Sequence, residues 1–277
     1  MDEVSDPAMT VMAEGLFNGG PKFNILNKIK DTSCLALLLT GQRNNILSLQ
    51  TKSKNTKNYL NNTMFHTRVR AINRIGPHNH DVISVIVGSL LGDCYASKRS
   101  VEGTRLVYKQ SIVHKDYLFW LYNFFNSRGY CSNLEPRMYT RKLKRVDQVK
   151  EYYGYEFHTY TFRSLDWVHR MFYKKGKKVV SLEIEKYLTP LALAVWLMDD
   201  GGWAKPGTRI STKSLKLEEV QFLATVLRSK FNLDCTVQRI GTIDQYSIYI
   251  KGSSIPTLRQ LVLPYVHPSM YYKLGLK

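Results

Sequence analysis

The strongest constraint in this 277-residue sequence is a pattern that occurs twice, an apolar stretch that ends in a carboxylate. The first covers residues 86–94 and carries Asp93 at its eighth position; the second covers residues 193–201 and carries Asp200 there. Each is typical of a buried helix, because apolar or small residues fill the positions before the acid. The two aspartates lie 107 positions apart, so the pattern predicts a duplicated unit of about 100 residues.

The residues around the two stretches support this duplication. In each half the apolar helix is followed by a strand-like segment, an amphipathic helix, further strand-like segments and a closing helix. The amphipathic helices are expected at 114–127 and 217–231, and the closing helices at 165–173 and 255–266. This order predicts an α+β fold made of two related units.

An aspartate at a helix C-terminus is electrostatically unfavourable, because the helix dipole is already negative there. A divalent cation would neutralise it, and Mg²⁺ is commonly held by one or two carboxylates together with substrate phosphates. Gly88 and Gly92 lie on one face of the first helix, where they permit close approach of another element. If that element is the second helix, both carboxylates meet in a site for phosphodiester cleavage. The alternatives are an ordinary polar helix end and packing of the glycines on a strand.

Composition indicates the kind of partner. Lys and Arg number 40 against 22 Asp and Glu, a net charge of +18, which favours nucleic acid over an acidic membrane surface. A basic structural protein is the alternative without enzymatic activity. The four cysteines occur singly, which argues against a zinc finger or redox motif and indicates a reducing compartment. No apolar run approaches the ~20 residues of a membrane span.

The first 80 residues differ from the rest of the chain. No acidic residue occurs between Asp31 and Asp81, and residues 42–63 are rich in Asn, Lys, Ser and Thr. We therefore expect a basic, partly disordered extension over 1–80, a first unit over 81–180 and a second over 181–277. Within the extension, Arg68, Arg70 and Arg74 belong to a solvated linker in one interpretation and to an arm along phosphates in the other; the linker is favoured.

The two nine-residue segments resemble the paired LAGLIDADG motifs of homing endonucleases and intron maturases, most closely the double-motif, single-chain type of organellar introns. Further segments at 187–190, 196–202, 264–265 and 270–274 are similar to the same family, so the resemblance covers residues 81–277. One departure is Cys94, which stands where the first motif ordinarily ends in glycine.

The resemblance implies two pseudo-symmetric αββαββα units, with the motif helices at their interface and two antiparallel sheets forming a DNA-binding saddle. It implies a site-specific double-strand DNA endonuclease of intron homing, with water activated by Mg²⁺, or Mn²⁺ as a substitute, at two carboxylates. The alternative is an RNA-binding maturase that assists splicing of its group I host intron, with or without nuclease activity. We further expect a monomer without membrane association that is encoded and located in an organelle, with the mitochondrion favoured.

The resemblance also carries site residues onto this sequence. Asp93 and Asp200 are the expected catalytic and metal-binding carboxylates, with Gly92 and Asp199 beside them in the metal site. Lys177 or Lys178 is the expected catalytic lysine of one half and Lys273 that of the other, and Gln110 is expected to position water. The expected nucleic-acid contacts, on or between the predicted strands, are Lys109, Arg137, Arg141, Lys142, Lys144, Arg145, Lys213, Gln238 and Arg239.

Overall fold

A computed structural model of the chain describes residues 69–98, 101–145, 148–241 and 244–276. The helices in these ranges are α1 (His80–Leu91), α2 (Lys115–Ser127), α3 (Asp166–Phe172), α4 (Ile184–Tyr187), α5 (Pro190–Asp200), α6 (Leu217–Phe231) and α7 (Ile255–Val262). The strands are β1 (Tyr95–Lys98), β2 (Thr104–Ser111), β3 (Arg137–Arg145), β4 (Gln148–His158), β5 (Tyr173–Lys174), β6 (Lys177–Lys178), β7 (Gly201–Ala204), β8 (Gly207–Ser211), β9 (Cys235–Arg239) and β10 (Tyr246–Ile250).

Two four-stranded antiparallel sheets have the same topology. The first has the order β1-β2-β4-β3 and the second the order β7-β8-β10-β9. In each, the strand that directly follows a motif helix lies at one edge and pairs with the next strand along the chain. The repeated order confirms the expected α+β fold of two related units.

The motif helices α1 and α5 pack against each other through a glycine. A Cβ atom at Gly88 would overlap the carbonyl oxygen of Ala192 and lie 2.9 Å from the Cβ of Val195. The expectation that Gly88 permits close helix approach is therefore confirmed, and the partner is the second motif helix. At the start of α5, Thr189 accepts a hydrogen bond from the backbone N–H of Ala192 at 3.1 Å, as an N-cap residue does.

One hydrophobic core runs through both units. It contains nearly all of α1 and α5, including the fully buried Trp196, and the inner faces of both sheets. The aspartates at the ends of α1 and α5 are consequently fixed to the most rigid part of the molecule, which is the arrangement that a precise site requires. In the parts of the chain that the structure describes, no helix is long and apolar enough to cross a membrane.

Three element boundaries differ from expectation. The expected closing helix over 255–266 ends at Val262, and a 3-10 turn, Leu263–Tyr265, follows because proline at 264 cannot continue the helical hydrogen bonds. Gly201 and Gly202 do not form a terminating loop, since β7 begins at Gly201. Strand β3 was not expected, because five of its nine residues are Lys or Arg.

The segment before α1 packs on the first unit. Arg74 is buried, donates a hydrogen bond to the backbone oxygen of Thr161 at 2.9 Å and lies 5.0 Å from the ring centroid of Tyr160. His78 lies 2.6 Å from the hydroxyl of Tyr130. For Arg74 both the solvated linker and the phosphate arm are wrong, because its guanidinium is taken up inside the fold.

Residues 1–68, which include Arg68, lie outside the described residues. The predictions made for them stay predictions. The boundaries at 80 and 180 stay predictions. All described residues belong to one compact unit, Lys57–Lys277.

Candidate functional site

The ends of the two motif helices meet in the structure. Gly92 follows α1, and a Cβ atom there would lie 2.6 Å from Oδ2 of Asp199, so this glycine leaves the space that the Asp199 side chain occupies. The backbone N–H of Asp93 donates to the same oxygen at 3.3 Å. A carboxylate of the second unit therefore holds the motif end of the first.

Gln110 connects the two motif ends from β2. Its side chain is buried, and its Nε2 donates to Oδ2 of Asp93 at 2.8 Å and to Oδ1 of Asp199 at 3.3 Å. Burial of an amide is stable when its hydrogen bonds are satisfied, and here both acceptors are carboxylates. Gln110 thus fixes the orientation of the Asp93 carboxylate, which is itself exposed.

Two lysines occupy equivalent places in the two halves. Lys178 donates to the backbone oxygen of Gly92 at 3.0 Å, and Lys273 donates to the backbone oxygen of Asp199 at 2.7 Å. Gly92 and Asp199 are both the seventh residue of their motif. Each ammonium therefore meets the negative end of one motif helix, where its charge is favourable.

The sequence did not decide whether Lys177 or Lys178 belongs to the site. In the structure Lys178 lies at the site, and Lys177 is exposed on the hairpin of β5 and β6. Lys273 does not lie in a frayed tail, since it is buried and also donates to the backbone oxygen of Met198.

The charges in this cluster perturb one another. Burial, followed by the charge of Asp93, raises the pKa of Asp200 to about 7, although Lys178 and Lys273 oppose the shift. Burial and the charge of Asp93 also raise the pKa of Asp199 well above its usual range. Burial lowers the pKa of both lysines, against the nearby carboxylates. The carboxylates of this cluster therefore repel one another, and the two lysines offset part of that repulsion.

Two further side chains belong to the site although the sequence did not indicate them. Burial lowers the pKa of His114; the charge of Lys273 lowers it further and the charge of Asp93 opposes the shift. Burial and the charge of Asp199 raise the pKa of Tyr117. His114 directly precedes α2 and Tyr117 lies in its first turn, on the helix that follows the Gln110 strand.

The donor set fits a hard divalent cation. Asp93 and Asp200 offer carboxylate oxygens, which Mg²⁺ prefers. Among the residues that the structure describes, no group of three or more His, Cys, Asp or Glu is arranged to hold a metal. A site with two carboxylates leaves room for substrate phosphate oxygens, as Mg²⁺ sites commonly do. Beside Asp200 lies a cavity of about 340 Å³ that Arg209 and Lys213 also line.

The expected nucleic-acid contacts do not all share one sheet face. Residues at alternate strand positions face the same side, so Arg137 and Arg141 lie on one face of β3 and Lys142 on the other. Lys109 pairs across the sheet with the residue opposite Arg137 and joins that face. Lys142 therefore lies on the opposite face from Lys109, Arg137 and Arg141, and its contact with nucleic acid stays a prediction. Lys144 and Arg145 are described only as strand positions of β3.

The second sheet shows the same division. Gln238 and Arg239 are neighbours on β9 and so point to opposite faces, and Lys213 lies just beyond β8. Arg209, which the sequence did not single out, is exposed on β8 and donates to Oε1 of Gln238 at 3.0 Å. The sequence signal for Arg209 is its position within the strand-like segment that forms β8.

Comparison with known proteins identifies the family. Residues 83–258 match the LAGLIDADG DNA endonuclease family. With this match over more than half of its length, the chain belongs to that family, which confirms the resemblance seen in the two motifs.

Its relatives include endonucleases and maturases. The chain is 53% identical over 158 residues to an intron-encoded endonuclease, ai4, of Dictyostelium discoideum, covering 57% of this chain and 99% of that protein. It is 36% identical over 209 residues to the cytochrome b mRNA maturase bI2 of Debaryomyces hansenii, covering 75% and 79%. Among solved structures, the homing endonuclease I-WcaI bound to its DNA recognition sequence is similar, with a TM-score of 0.64 and 25% identity, covering 76% of this chain and 94% of that one.

Proposed function

We propose that this protein is a site-specific DNA endonuclease that cleaves both strands of its target with the help of a divalent cation. The observation that carries the proposal is the meeting of two motif-helix carboxylates, Asp93 and Asp200, beside Gln110, the half-buried Lys178 and the buried Lys273. A structural role alone would not require mutually repelling carboxylates at helix ends, where the dipole already disfavours them.

Asp93 and Asp200 would hold the cation, Mg²⁺ by preference and Mn²⁺ as a substitute, with the motif positions Gly92 and Asp199 next to them. When bound, such a cation lowers the pKa of water and neutralises charge that develops on phosphate oxygens. Binding of a cation also requires the Asp200 carboxyl to be ionised, so its raised pKa makes cation affinity depend on pH.

The protein's side chains would orient the Asp93 carboxylate and balance negative charge in the site. Gln110 holds the Asp93 carboxylate in one orientation through its 2.8 Å hydrogen bond. Lys178 and Lys273 place one ammonium in each half, where each would stabilise negative charge on a phosphate or a departing oxygen. Lys177, exposed outside this cluster, is not part of the proposed machinery.

The substrate we propose is duplex DNA. The similar homing endonuclease I-WcaI is bound to its DNA recognition sequence, and this chain shares the fold of that protein. Exposed basic residues on the sheet faces of both units, including Arg141 and Arg209, would mostly contact phosphates and fix the position of the duplex. Because one chain supplies both motifs, we propose that a monomer binds a non-palindromic site.

A second candidate function is assistance of intron splicing. Two relatives at 36% identity carry the name cytochrome b mRNA maturase, so the similarity extends to proteins that are named for action on mRNA. We accordingly propose an intron-encoded, mitochondrial origin, with host intron RNA as the second partner. Retention of Asp93 and Asp200 favours an active nuclease in either case.

The test presents two substrates to the purified full-length chain. Duplex DNA that spans the uninterrupted host gene is incubated with Mg²⁺, Mn²⁺, Ca²⁺ or a chelator, and precursor RNA containing the intron is assayed for splicing in parallel. We expect cleavage of both DNA strands at one place with Mg²⁺ or Mn²⁺. Ca²⁺ should support binding without cleavage, because its larger and looser coordination positions a nucleophile poorly.

Asp93→Asn provides the matched control, since it keeps the shape of the side chain and removes its charge. It should abolish cleavage and leave DNA affinity within about tenfold, because loss of a negative charge near phosphates does not weaken binding. Accelerated splicing without a cut in any DNA at any cation concentration would overturn the endonuclease and support the maturase.

A further inference from the structure

A row of three charged side chains crosses the first sheet. Glu156 on β4 lies directly opposite Lys109 on β2 and Arg137 on β3, so the three form a cross-strand line on one face. The carboxylate of Glu156 pairs with Nζ of Lys109 at 2.6 Å and, through its other oxygen, with Nη2 of Arg137. We call these three residues the charged row.

The charged row is built differently from a set of free surface cations. The Glu156 side chain is only 13% exposed, against 44% for Lys109 and 78% for Arg137, so the acid lies beneath two cations that face solvent. Burial by itself raises the pKa of Glu156, yet hydrogen bonds from Lys109 and Arg137 hold that pKa below its ordinary value. The acid is therefore ionised, and the row carries a net charge of +1 in place of +2.

A second contact fixes the lysine. Nζ of Lys109 lies 5.4 Å from the ring centroid of Tyr139, two positions after Arg137 on β3. The Tyr139 ring can lie flat on the sheet because its neighbour is Gly154; a Cβ there would lie 2.7 Å from the tyrosine ring. Lys109 is thus held between a carboxylate and an aromatic face, with little freedom to follow a phosphate.

If the protein binds DNA as proposed, an acid that neutralises the cations of a DNA-contacting face weakens their attraction for phosphates. Phosphate contacts provide affinity without sequence information, and each cation given to them strengthens binding to every sequence equally. Cations held in fixed positions instead match only base edges that place acceptors where the donors point, as guanine does in the major groove. A fixed row therefore gives up general affinity and gains discrimination.

We infer that Glu156 is a specificity-determining residue, which holds Lys109 and Arg137 in place to read the base pairs above the first sheet. This inference rests on the proposed DNA recognition. It assigns Glu156 a positioning role, since its own carboxylate is occupied by the two cations.

The test measures base preference apart from cleavage. Duplexes are selected from a randomised library in Ca²⁺ by the wild-type chain, by Glu156→Gln and by Glu151→Gln. Glu151 is the matched control, because it pairs with Lys142 at 2.6 Å on the opposite face of the same two strands. Thermal denaturation of each variant verifies that it is folded.

We expect Glu156→Gln to select a site that has lost preference, by about tenfold or more, at one or two adjacent base pairs and is unchanged elsewhere. Its affinity should equal or exceed that of the wild type, and its salt dependence should steepen as the freed cations reach phosphates. Glu151→Gln should select the wild-type site. Arg137→Gln, at an exposed side chain that the fold does not need, should relax the same base pairs.

Two results would overturn the inference, and they differ. If wild type enriches a defined site and Glu156→Gln and Arg137→Gln enrich that site unchanged, the charged row does not read sequence, although site-specific binding stands. If wild type enriches no sequence, site-specific DNA binding itself fails and the role of the row fails with it.

Discussion

Substitution of Gly92 by alanine tests whether the Asp199 side chain positions Asp93, the first of the two proposed catalytic carboxylates. The new Cβ would lie 2.6 Å from Oδ2 and 2.9 Å from Cγ of Asp199 and overlap its Cβ. Oδ2 must retreat to an ordinary contact of 3.4 Å or more, which is a displacement of about 0.8 Å. The 3.3 Å hydrogen bond from the backbone N–H of Asp93 to that oxygen cannot survive this movement.

The magnitude follows from these distances. Overpacking at a close contact costs roughly 1–3 kcal/mol of unfolding free energy, and loss of one hydrogen bond adds about 1 kcal/mol. Misplacement of a reacting group by about 1 Å costs on the order of 100-fold in rate. We therefore expect Gly92→Ala to reduce single-turnover DNA cleavage by about 10- to 100-fold while the protein stays folded and bound to DNA.

Gly202→Ala is the matched control, because a Cβ at that glycine meets nothing within 4 Å. It should keep wild-type cleavage. A double-mutant cycle adds a readout that is independent of catalysis, since Asp199→Gly removes the side chain that collides with the new methyl group. The stability cost of Gly92→Ala should largely disappear in that background. Wild-type cleavage by Gly92→Ala, or an equal stability cost with and without the Asp199 side chain, would refute the reasoning.

Three further predictions concern the lysines, the carboxyl groups and the amino-terminal segment. Lys178→Met should lower the rate of DNA cleavage by about 100-fold or more, through loss of a half-buried charge at the proposed site, while Lys177→Met should change it less than about threefold in the same assay. For metal-free protein, the pKa of about 7 at Asp200 lies above the ~3.9 of an unfolded aspartate, so the folded state binds this proton more tightly. The protonated Asp200 carboxyl therefore contributes to the free energy of unfolding below about pH 4, and this contribution is lost as pH rises to about 7. Denaturant unfolding with chelator present, followed across that pH range, should show a smaller loss of stability in Asp200→Asn than in the wild type. Arg74→Ala should lower the unfolding free energy by about 1–3 kcal/mol, because the buried Arg74 side chain donates to the backbone oxygen of Thr161, whereas Arg70→Ala at an exposed position should be neutral; a neutral effect of Arg74→Ala would mean that the contacts of Arg74 do not stabilise the fold.

The sequence predicted the long helices and the edge strand β9 well, but it missed the edge strands β1, β3 and β7. The bounds of α6 were predicted without error, and the predicted start of α5 at residue 191 lies one residue after its observed start. Both helices were predictable because each has a clear pattern of buried positions and clear ends. Strands β1 and β7 have four residues each, too few to show alternation. Because β3 was not predicted, the sequence could not assign Arg137, Arg141 and Lys142 to the faces of a sheet.

The candidate site was predictable where local sequence determines it. Asp93, Asp200 and Gln110 follow from motifs and strand position, and the structure brings them together. The choice between Lys177 and Lys178 could not be made, because it depends on which side of a two-residue strand faces the helix ends. His114 and Tyr117 were missed because their approach to Lys273 and Asp199 depends on contacts between the units, which no local pattern records.

The two units are related but not interchangeable, and the site shows why. Gly92 and Asp199 hold the same motif position, and the glycine leaves room for one aspartate side chain. Two copies of the second unit would bring two such side chains into that space, and two copies of the first would leave it empty. When the first strand pair after each motif is aligned on the motif aspartates, Thr212 of the second unit is equivalent to Gln110 of the first. Thr212 does not bond to a motif aspartate, since its hydroxyl donates to the backbone oxygen of Tyr246 at 2.8 Å. Each half therefore depends on the other for a complete site, which is consistent with the proposed recognition of a non-palindromic DNA site by one chain.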